Sequence, residues 1–227
     1  MQRTIVCLAN SYKHGGRCVA GICVETGEWL RLRGKADDGA LSPREYALAK
    51  DAGELRLLDV FSADLHYPMP SDCHPEDWAV TAMPWQLVER PCPAQRWEKI
   101  AAATATTAHI LGGYGDRVSA DELHAKPIKS SLALVSPDNL WWWIRDERGK
   151  RKNRALFHRH NVTYDFAVTD PRWVDQMNLL PLGIYAHSML APQATRTWLT
   201  VSLSEGYIPR ANGPAWHFRI VAGVIAM

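Results

Sequence analysis

A run of three tryptophans leads directly into the most basic stretch of the chain. Aromatic side chains stack on nucleobases, and arginine and lysine neutralise phosphates, so these residue types together suit nucleic-acid binding. Only Asp146 and Glu147 offset the positive charge. Trp143 and its basic neighbours form our first candidate site: Trp143, Arg145, Arg148, Lys150, Arg151, Lys152, Arg154 and Arg159. A buried aromatic cluster beside a solvated charged hairpin is the alternative.

Alternation along a strand divides the three indoles between two faces. Trp141 and Trp143 are expected on one face and Trp142 on the other, so at least one indole belongs to a hydrophobic core. The polar residues 147–150 are expected to form the turn that follows, which would place the basic stretch on a hairpin.

A glycine-bearing loop near residue 15 is the second candidate. Glycines let the backbone approach an anion, and neighbouring cations could neutralise it. The phosphate-loop consensus GxxxxGK[ST] is absent, and an ordinary hairpin loop is the alternative. The next strand is expected to present one aromatic and two arginine side chains on a shared face. The members of this candidate are Lys13, Arg17, Trp29, Arg31 and Arg33.

Catalysis is a third possibility, carried by a serine with a histidine base. The available residues are Ser202 with Glu205, or Ser11, with His14 or His217 as the base. No GxSxG elbow, HExxH motif or paired acidic motif of a nuclease occurs. The sequence therefore favours a protein without a catalytic centre, and an enzyme acting on nucleotides or nucleic acid stays open as the alternative.

The cysteines do not indicate a disulfide framework or a metal site. They are five in number, and three lie in predicted strands where a small apolar residue would serve equally well. Cys73 and His74, with His66, lack the spacing typical of zinc ligands. We expect no metal and no cofactor.

Composition is that of an ordinary globular protein. The 227 residues are 47% hydrophobic and 22% charged, with a net charge of +2. No apolar run approaches the roughly 18 residues that span a bilayer, and no signal peptide is evident. We expect a cytoplasmic protein that does not enter the membrane.

The elements that position these residues are mostly short strands. In the first half, strands are expected at 5–9, 18–24, 29–33, 55–65 and 85–89, with helices at 43–52 and 93–103. In the second half, strands are expected at 131–136, 140–145, 154–158, 162–168, 197–203 and 217–225, with a helix from Asp170 to about Leu179. The strands at 131–136 and 140–145 are expected to pair as a hairpin.

This pattern predicts a mostly β protein with short helices (α+β), built from two small OB-like antiparallel β-barrels. The N-terminal barrel is expected at 1–115 and the C-terminal barrel at 128–227, with the seam at about 110–128. A parallel α/β sheet would need a regular alternation of strands and helices, which the sequence does not show.

Two segments, CLANSYKHGGRCVAG and LTVSLSEGY…FRIVAGVI, resemble a bacterial family known as dual OB-containing domain proteins. The resemblance implies OB folds and, through genomic association, a role in defence or nucleic-acid-processing systems. Our functional hypothesis is non-catalytic binding of nucleic acid (single-stranded DNA or RNA) or of a nucleotide, with protein partners of a defence system as a further expectation. An enzyme acting on nucleotides, or a protein-interaction module of a larger assembly, is the alternative.

Overall fold

The computed structural model describes residues 1–13, 15–49, 52–104, 109–209 and 213–227. The chain forms two compact units, Met1–Thr104 and Ala105–Met227. Each unit is built around its own β-sheet. The barrel limits expected from the sequence, 1–115 and 128–227, stay predictions.

The first unit contains a closed five-stranded barrel. Its strands are β1 (Gln2–Lys13), β2 (Gly16–Cys23), β3 (Trp29–Arg33), β4 (Val60–Pro68) and β5 (Asp77–Val80), followed by β6 (Gln86–Glu89) and helix α1 (Ala94–Ala102). The strand order is β1-β2-β3-β5-β4, and pairing of β4 with β1 closes the barrel. β3 and β5 are parallel and the other barrel pairs are antiparallel. The predicted OB-like architecture is confirmed for this unit.

A bend in β1 allows one strand to pair on both sides of the barrel. Its first half pairs with β4 and its second half with β2, and a bulge interrupts the second register between Cys7 and Ala9. Gly21 of β2 crosses β1 so closely that a Cβ atom there would lie 2.0 Å from the Val6 carbonyl oxygen. Alternate side chains, among them Ile5 and Phe61, fill the barrel interior.

The helix expected at 43–52 is wrong: the described residues of this stretch form turns and isolated bridges. Leu41 bridges to Arg17, and Leu48 bridges to Trp85, which holds the chain extended at both places. The carboxylate of Glu45 accepts hydrogen bonds from the Ser42 and Lys35 backbone N–H groups at 2.8 and 2.9 Å. Ser42 and Glu45, residue types that often cap a helix, therefore stabilise a single turn here. Long-range pairing overrides the local helix preference.

The second unit contains eight strands and three helices in its described residues. They are β7 (Arg117–Ser119), α2 (Ala120–Ala125), β8 (Leu132–Val135), β9 (Asn139–Glu147), β10 (Lys150–Arg159), β11 (Val162–Val168), α3 (Pro171–Asn178), β12 (Gly183–Ala186), α4 (His187–Leu190), β13 (Thr197–Leu203) and β14 (Trp216–Ala226). The sheet order is β12-β9-β10-β11-β14-β13-β8, and β7 pairs with β14. Strand β12 was not expected from the sequence.

The second sheet repeats the strand order of the first barrel. The path β9-β10-β11-β14-β13 corresponds to β1-β2-β3-β5-β4. β11 and β14 are parallel, as their counterparts β3 and β5 are. The hairpin expected between 131–136 and 140–145 is wrong, because β8 pairs with β13 whereas β9 pairs with β10. Pro137 lies between β8 and β9 and cannot donate to a ladder. β8 and β9 together take the place of the single bent strand β1.

Arg219 joins the first segment of the second unit to β14. It is 2% exposed. Its guanidinium donates to the backbone carbonyls of Ile110, Leu111, Gly115 and Arg117 at 2.7–2.9 Å. One side chain therefore satisfies four carbonyl groups of a loop that has little regular structure of its own.

Side-chain caps stabilise the starts of two helices in the second unit, and the helix expected from Asp170 is confirmed. Ser119 and Glu122 form a reciprocal capping box at the start of α2. Asp170 caps α3 through the Arg172 N–H, and its second oxygen accepts from the Val224 N–H at 2.9 Å. Burial raises the pKa of Asp170, against the opposing effect of these hydrogen bonds.

All five cysteines are free thiols. In the described ranges, no helix combines the length and the apolar character that crossing a bilayer requires.

Candidate functional site

The β9–β10 hairpin carries the basic stretch to the surface of the second unit. Its turn is made by Arg148 and Gly149, which have positive φ angles of 55° and 75°. Such angles match the twist of the flanking strands in a two-residue hairpin loop. The Gly149 N–H donates to the Asp146 carboxylate at 2.9 Å, which stabilises the turn. The expected turn at 147–150 is confirmed.

The three tryptophans of β9 divide between the two faces as alternation predicts. Trp142 is buried and stacks on Trp173 of α3, with ring centroids 4.5 Å apart. Trp141 and Trp143 are half-buried on the opposite face. The Arg145 guanidinium lies over the Trp143 ring, 4.3 Å from its centroid. The outer face of β9 therefore carries aromatic and cationic groups in direct contact.

Two of the predicted arginines are engaged with acidic side chains. Arg145 pairs with Glu147 and lies 3.7 Å from the Asp165 carboxylate. Arg154 donates to Asp165 at 2.6 Å and lies 3.6 Å from Asp116. These contacts neutralise part of the positive charge and hold the two guanidinium groups in place.

Two more predicted cations have structural contacts. Arg151 is exposed, but its Nη2 donates to the carbonyls of Met177, in the last turn of α3, and of Leu180, just beyond it, at 2.6 and 2.5 Å. Arg159 is buried with its side chain on the core face of β10, and burial lowers its pKa. Arg151 therefore anchors the hairpin to α3, and Arg159 does not face the solvent.

Three predicted cations remain on the open surface of the hairpin. Arg148, Lys150 and Lys152 are exposed, and none of them pairs with a carboxylate of another described residue. Together with Glu147 they line a shallow open groove. Because none of them is held by a paired carboxylate, these three cations are available to contact an anionic partner.

The first-unit candidate is more heterogeneous than its sequence suggests. Arg31 is 2% exposed and forms a two-bond pair with Asp77, at 2.6 and 2.8 Å. Arg33 lies 3.5 Å from the same carboxylate. Trp29 is half-buried at the start of β3. The Arg31 guanidinium therefore stabilises the β3–β5 contact and does not face the solvent.

The loop of this candidate contains an aromatic residue that the sequence did not single out. Arg17 lies over the exposed ring of Tyr12, 4.5 Å from its centroid, and Lys13 is half-buried beside it. The pairing of β1 with β2 places Tyr12 opposite Arg17. The sequence alone does not give this register, so it could not identify the contact. His14 lies outside the described residues.

Two of the residues weighed for catalysis, Ser202 and His217, contact backbone carbonyls. The Ser202 hydroxyl donates to the Leu203 carbonyl at 3.2 Å, and His217 Nδ1 lies 2.9 Å from the Ser204 carbonyl. Ser11 is buried. Among the residues that the structure describes, no group of three His, Cys, Asp or Glu side chains is placed to hold a metal ion.

His187 forms a hydrogen bond with Trp142 on the core side of β9. Trp142 Nε1 donates to His187 Nδ1 at 3.2 Å, so the ring proton is on Nε2, which lies 2.7 Å from the Thr197 hydroxyl. Burial lowers the pKa of His187 below its usual value of 6.5. Protonation would place a second N–H against the Trp142 donor.

We expect this contact to make stability dependent on pH. A base whose pKa is lowered in the folded state contributes its full stability above the usual pKa of about 6.5. That stability is lost progressively as the pH falls below this value and through the lower pKa of the folded state. The urea midpoint should therefore fall between pH 7.5 and 5.5, and His187→Gln should flatten that dependence. The exposed His124→Gln is the matched control, and an equal flattening in both variants would contradict the assignment.

A match to one protein family spans almost the entire chain. Residues 3–224 match the dual OB-containing domain. The closed barrel of the first unit, and the repetition of its strand order in the second, agree with two OB folds. No curated protein shows significant sequence similarity to the chain. The chain belongs to the dual OB-containing domain family.

Proposed function

We propose that this protein binds single-stranded nucleic acid, without catalysing a reaction, through the β9–β10 hairpin of its second unit. The observation that carries the proposal is the group of three exposed, unneutralised cations, Arg148, Lys150 and Lys152, beside an outer sheet face that bears Trp143. Cations contact phosphates, and an indole offers a stacking surface to a base.

The position of the hairpin within the fold supports this proposal. OB folds bind oligonucleotides on the face of their second and third strands and through the loop between the first and second strands. By strand order, the β9–β10 turn is that loop and β10 is the second strand. Trp141 and Trp143 lie on the outer face of β9, next to β10. The exposed cations therefore flank the surface that OB folds commonly use.

The wider setting is part of the same proposal. The family resemblance favours a role in a bacterial defence or nucleic-acid-processing system, acting with protein partners. A cytoplasmic location is part of the proposal and comes from the sequence, not from the resemblance. The Lys13, Arg17 and Tyr12 surface of the first unit is a second candidate contact, because an arginine again lies over an exposed aromatic ring there. Arg31 and Arg159 are left out of the proposed contact because both are buried.

Replacing Arg148, Lys150 and Lys152 together by glutamine should weaken binding of fluorescein-labelled single-stranded oligonucleotides. Each lost phosphate contact lowers the slope of log affinity against log salt by about 0.7 for a single strand. We therefore expect a salt slope smaller by about 2 and an affinity at least about tenfold lower at moderate salt. Fluorescence anisotropy at a series of salt concentrations measures both. Arg151 is retained because it anchors the hairpin to α3.

The control variant removes the same charge from another part of the second unit. Lys126, Lys129 and Arg172 are exposed, and their triple replacement by glutamine should change binding much less. Labelled single strands and duplexes of DNA and RNA, together with mononucleotides, distinguish a polymer from a nucleotide ligand. Equal affinity and an equal salt slope in the folded hairpin variant and the wild type would reject this surface.

A further inference from the structure

The C-terminal side of α3 leads into a long uncharged stretch. Residues 176–195 contain no Asp, Glu, Lys or Arg, although such residues make up 22% of the chain. Several large apolar side chains of this stretch face the solvent: Leu179 at 86% exposure, Leu182, Ile184 at 58% exposure, and Met189. An exposed apolar stretch of this length is typical of an interaction surface.

This stretch also contains β12, one of the two terminal strands in the order of the second sheet. β12 pairs with β9 on one side, and no other described strand pairs with it. Alternate N–H and C=O groups of such a strand point away from the sheet and can pair with another strand. Sheet edges are commonly protected by charged side chains, and within β12 no charged residue provides that protection.

We propose that β12 pairs with β12 of a second copy of this chain, joining the two sheets edge to edge in a symmetric dimer. Antiparallel pairing about a two-fold axis is self-complementary, because each strand offers the other the same donors and acceptors. The uncharged edge brings no like charges together, and the net charge of +2 opposes association only weakly. The aliphatic side chains of Leu182 and Ile184 would then be covered.

The chemistry of this surface does not suit nucleic acid. It offers no cation to a phosphate within residues 176–195, and its exposed apolar groups are chiefly aliphatic, with little stacking surface for a base. The proposed dimer therefore does not rest on the proposed function, although Ile184 lies opposite Trp143 in the register of β12 and β9. The hairpin variant described above should dimerise like the wild type, so the two proposals can fail separately.

Sedimentation velocity of the full chain tests the dimer. In reducing buffer, the mass should rise from the 25.5 kDa of one chain towards twice that value as the protein concentration increases from low to several hundred micromolar. Ile184→Lys places a charge at the centre of the edge, and we expect it to raise the dimer dissociation constant at least about 100-fold. Leu182→Lys, at the start of the same edge, should act in the same direction.

A matched control lies on the terminal strand of the other sheet. Val88 on β6 is 53% exposed, and Val88→Lys introduces the same charge at an edge that already carries Glu89. It should leave the dissociation constant unchanged. A wild type that is monomeric at every concentration would overturn the proposal and leave the edge to a strand from another protein. Dimers that persist in both Ile184→Lys and Leu182→Lys would also overturn it.

Discussion

Arg219→Met is expected to lower the free energy of unfolding of the second unit by about 4 kcal/mol or more. Methionine preserves the apolar stem and removes every donor, so the carbonyls of Leu111, Gly115 and Arg117 lose the guanidinium. The Ile110 carbonyl loses it too but keeps a longer bond from the Gly113 N–H, at 3.3 Å. Each buried acceptor left without a donor costs about 1–3 kcal/mol, reduced where water can enter. Urea unfolding followed by tryptophan fluorescence measures the change.

Two further variants separate the hydrogen bonds from the charge. Arg219→Lys keeps the charge, but an ammonium group cannot reach four carbonyls at once, so an intermediate loss is expected. Arg172→Met removes an exposed arginine from α3 and should change stability by less than about 0.5 kcal/mol. A midpoint for Arg219→Met within error of the Arg172→Met value would show that the guanidinium does not hold the 110–117 segment.

The second large effect is expected at the buried pair of Arg31 and Asp77. Arg31→Met leaves the Asp77 carboxylate buried, and among the described residues the longer contact from Arg33 remains to compensate it. Breaking a buried ion pair by removing one partner typically costs about 3–5 kcal/mol, and we expect a value near 3 because Arg33 remains. Thermal and urea unfolding of the variant measure this loss.

A double-mutant cycle shows whether the two residues act together. Combining Arg31→Met with Asp77→Asn removes the uncompensated charge, so the double variant should be more stable than the sum of the single effects predicts. Exposed Arg44→Met is the matched control and should be nearly neutral. Additive losses would show that Arg31 and Asp77 are not coupled. Nucleic-acid binding by correctly folded Arg31→Met should match the wild type, since this guanidinium is not presented to solvent.

Local patterns predicted the parts of the site that depend on neighbouring residues. The division of Trp141, Trp142 and Trp143 between two faces follows from strand alternation, and the turn at Arg148 and Gly149 follows from its residue types. The cap at Asp170 was visible for the same reason, because it acts on the helix that begins one residue later. Each of these features needs only a few residues to be specified.

The burial and the partners of the individual arginines could not be predicted from local patterns. Arg31 and Arg33 differ little in their local sequence, yet Arg31 is almost fully buried and pairs with Asp77, which is 46 positions away. Arg148 and Arg151 are three residues apart, and of the two only Arg151 contacts the carbonyls at the C-terminal end of α3. Charge density along the chain therefore identified the hairpin, whereas long-range pairing decided which of its cations remain available.

The doubled strand order has a consequence for how fast the protein folds. In both units the first strands pair with strands that lie much later in the chain, as β1 does with β4 and β8 with β13. The contact between Arg219 and Ile110 spans 109 positions. Such non-local contacts cost loop-closure entropy before they contribute any stability, and they slow folding to about milliseconds to seconds. The break at Pro137 leaves β9 and β10 free to form their local hairpin first, so we expect the basic surface to be assembled before β8 closes the sheet around the core.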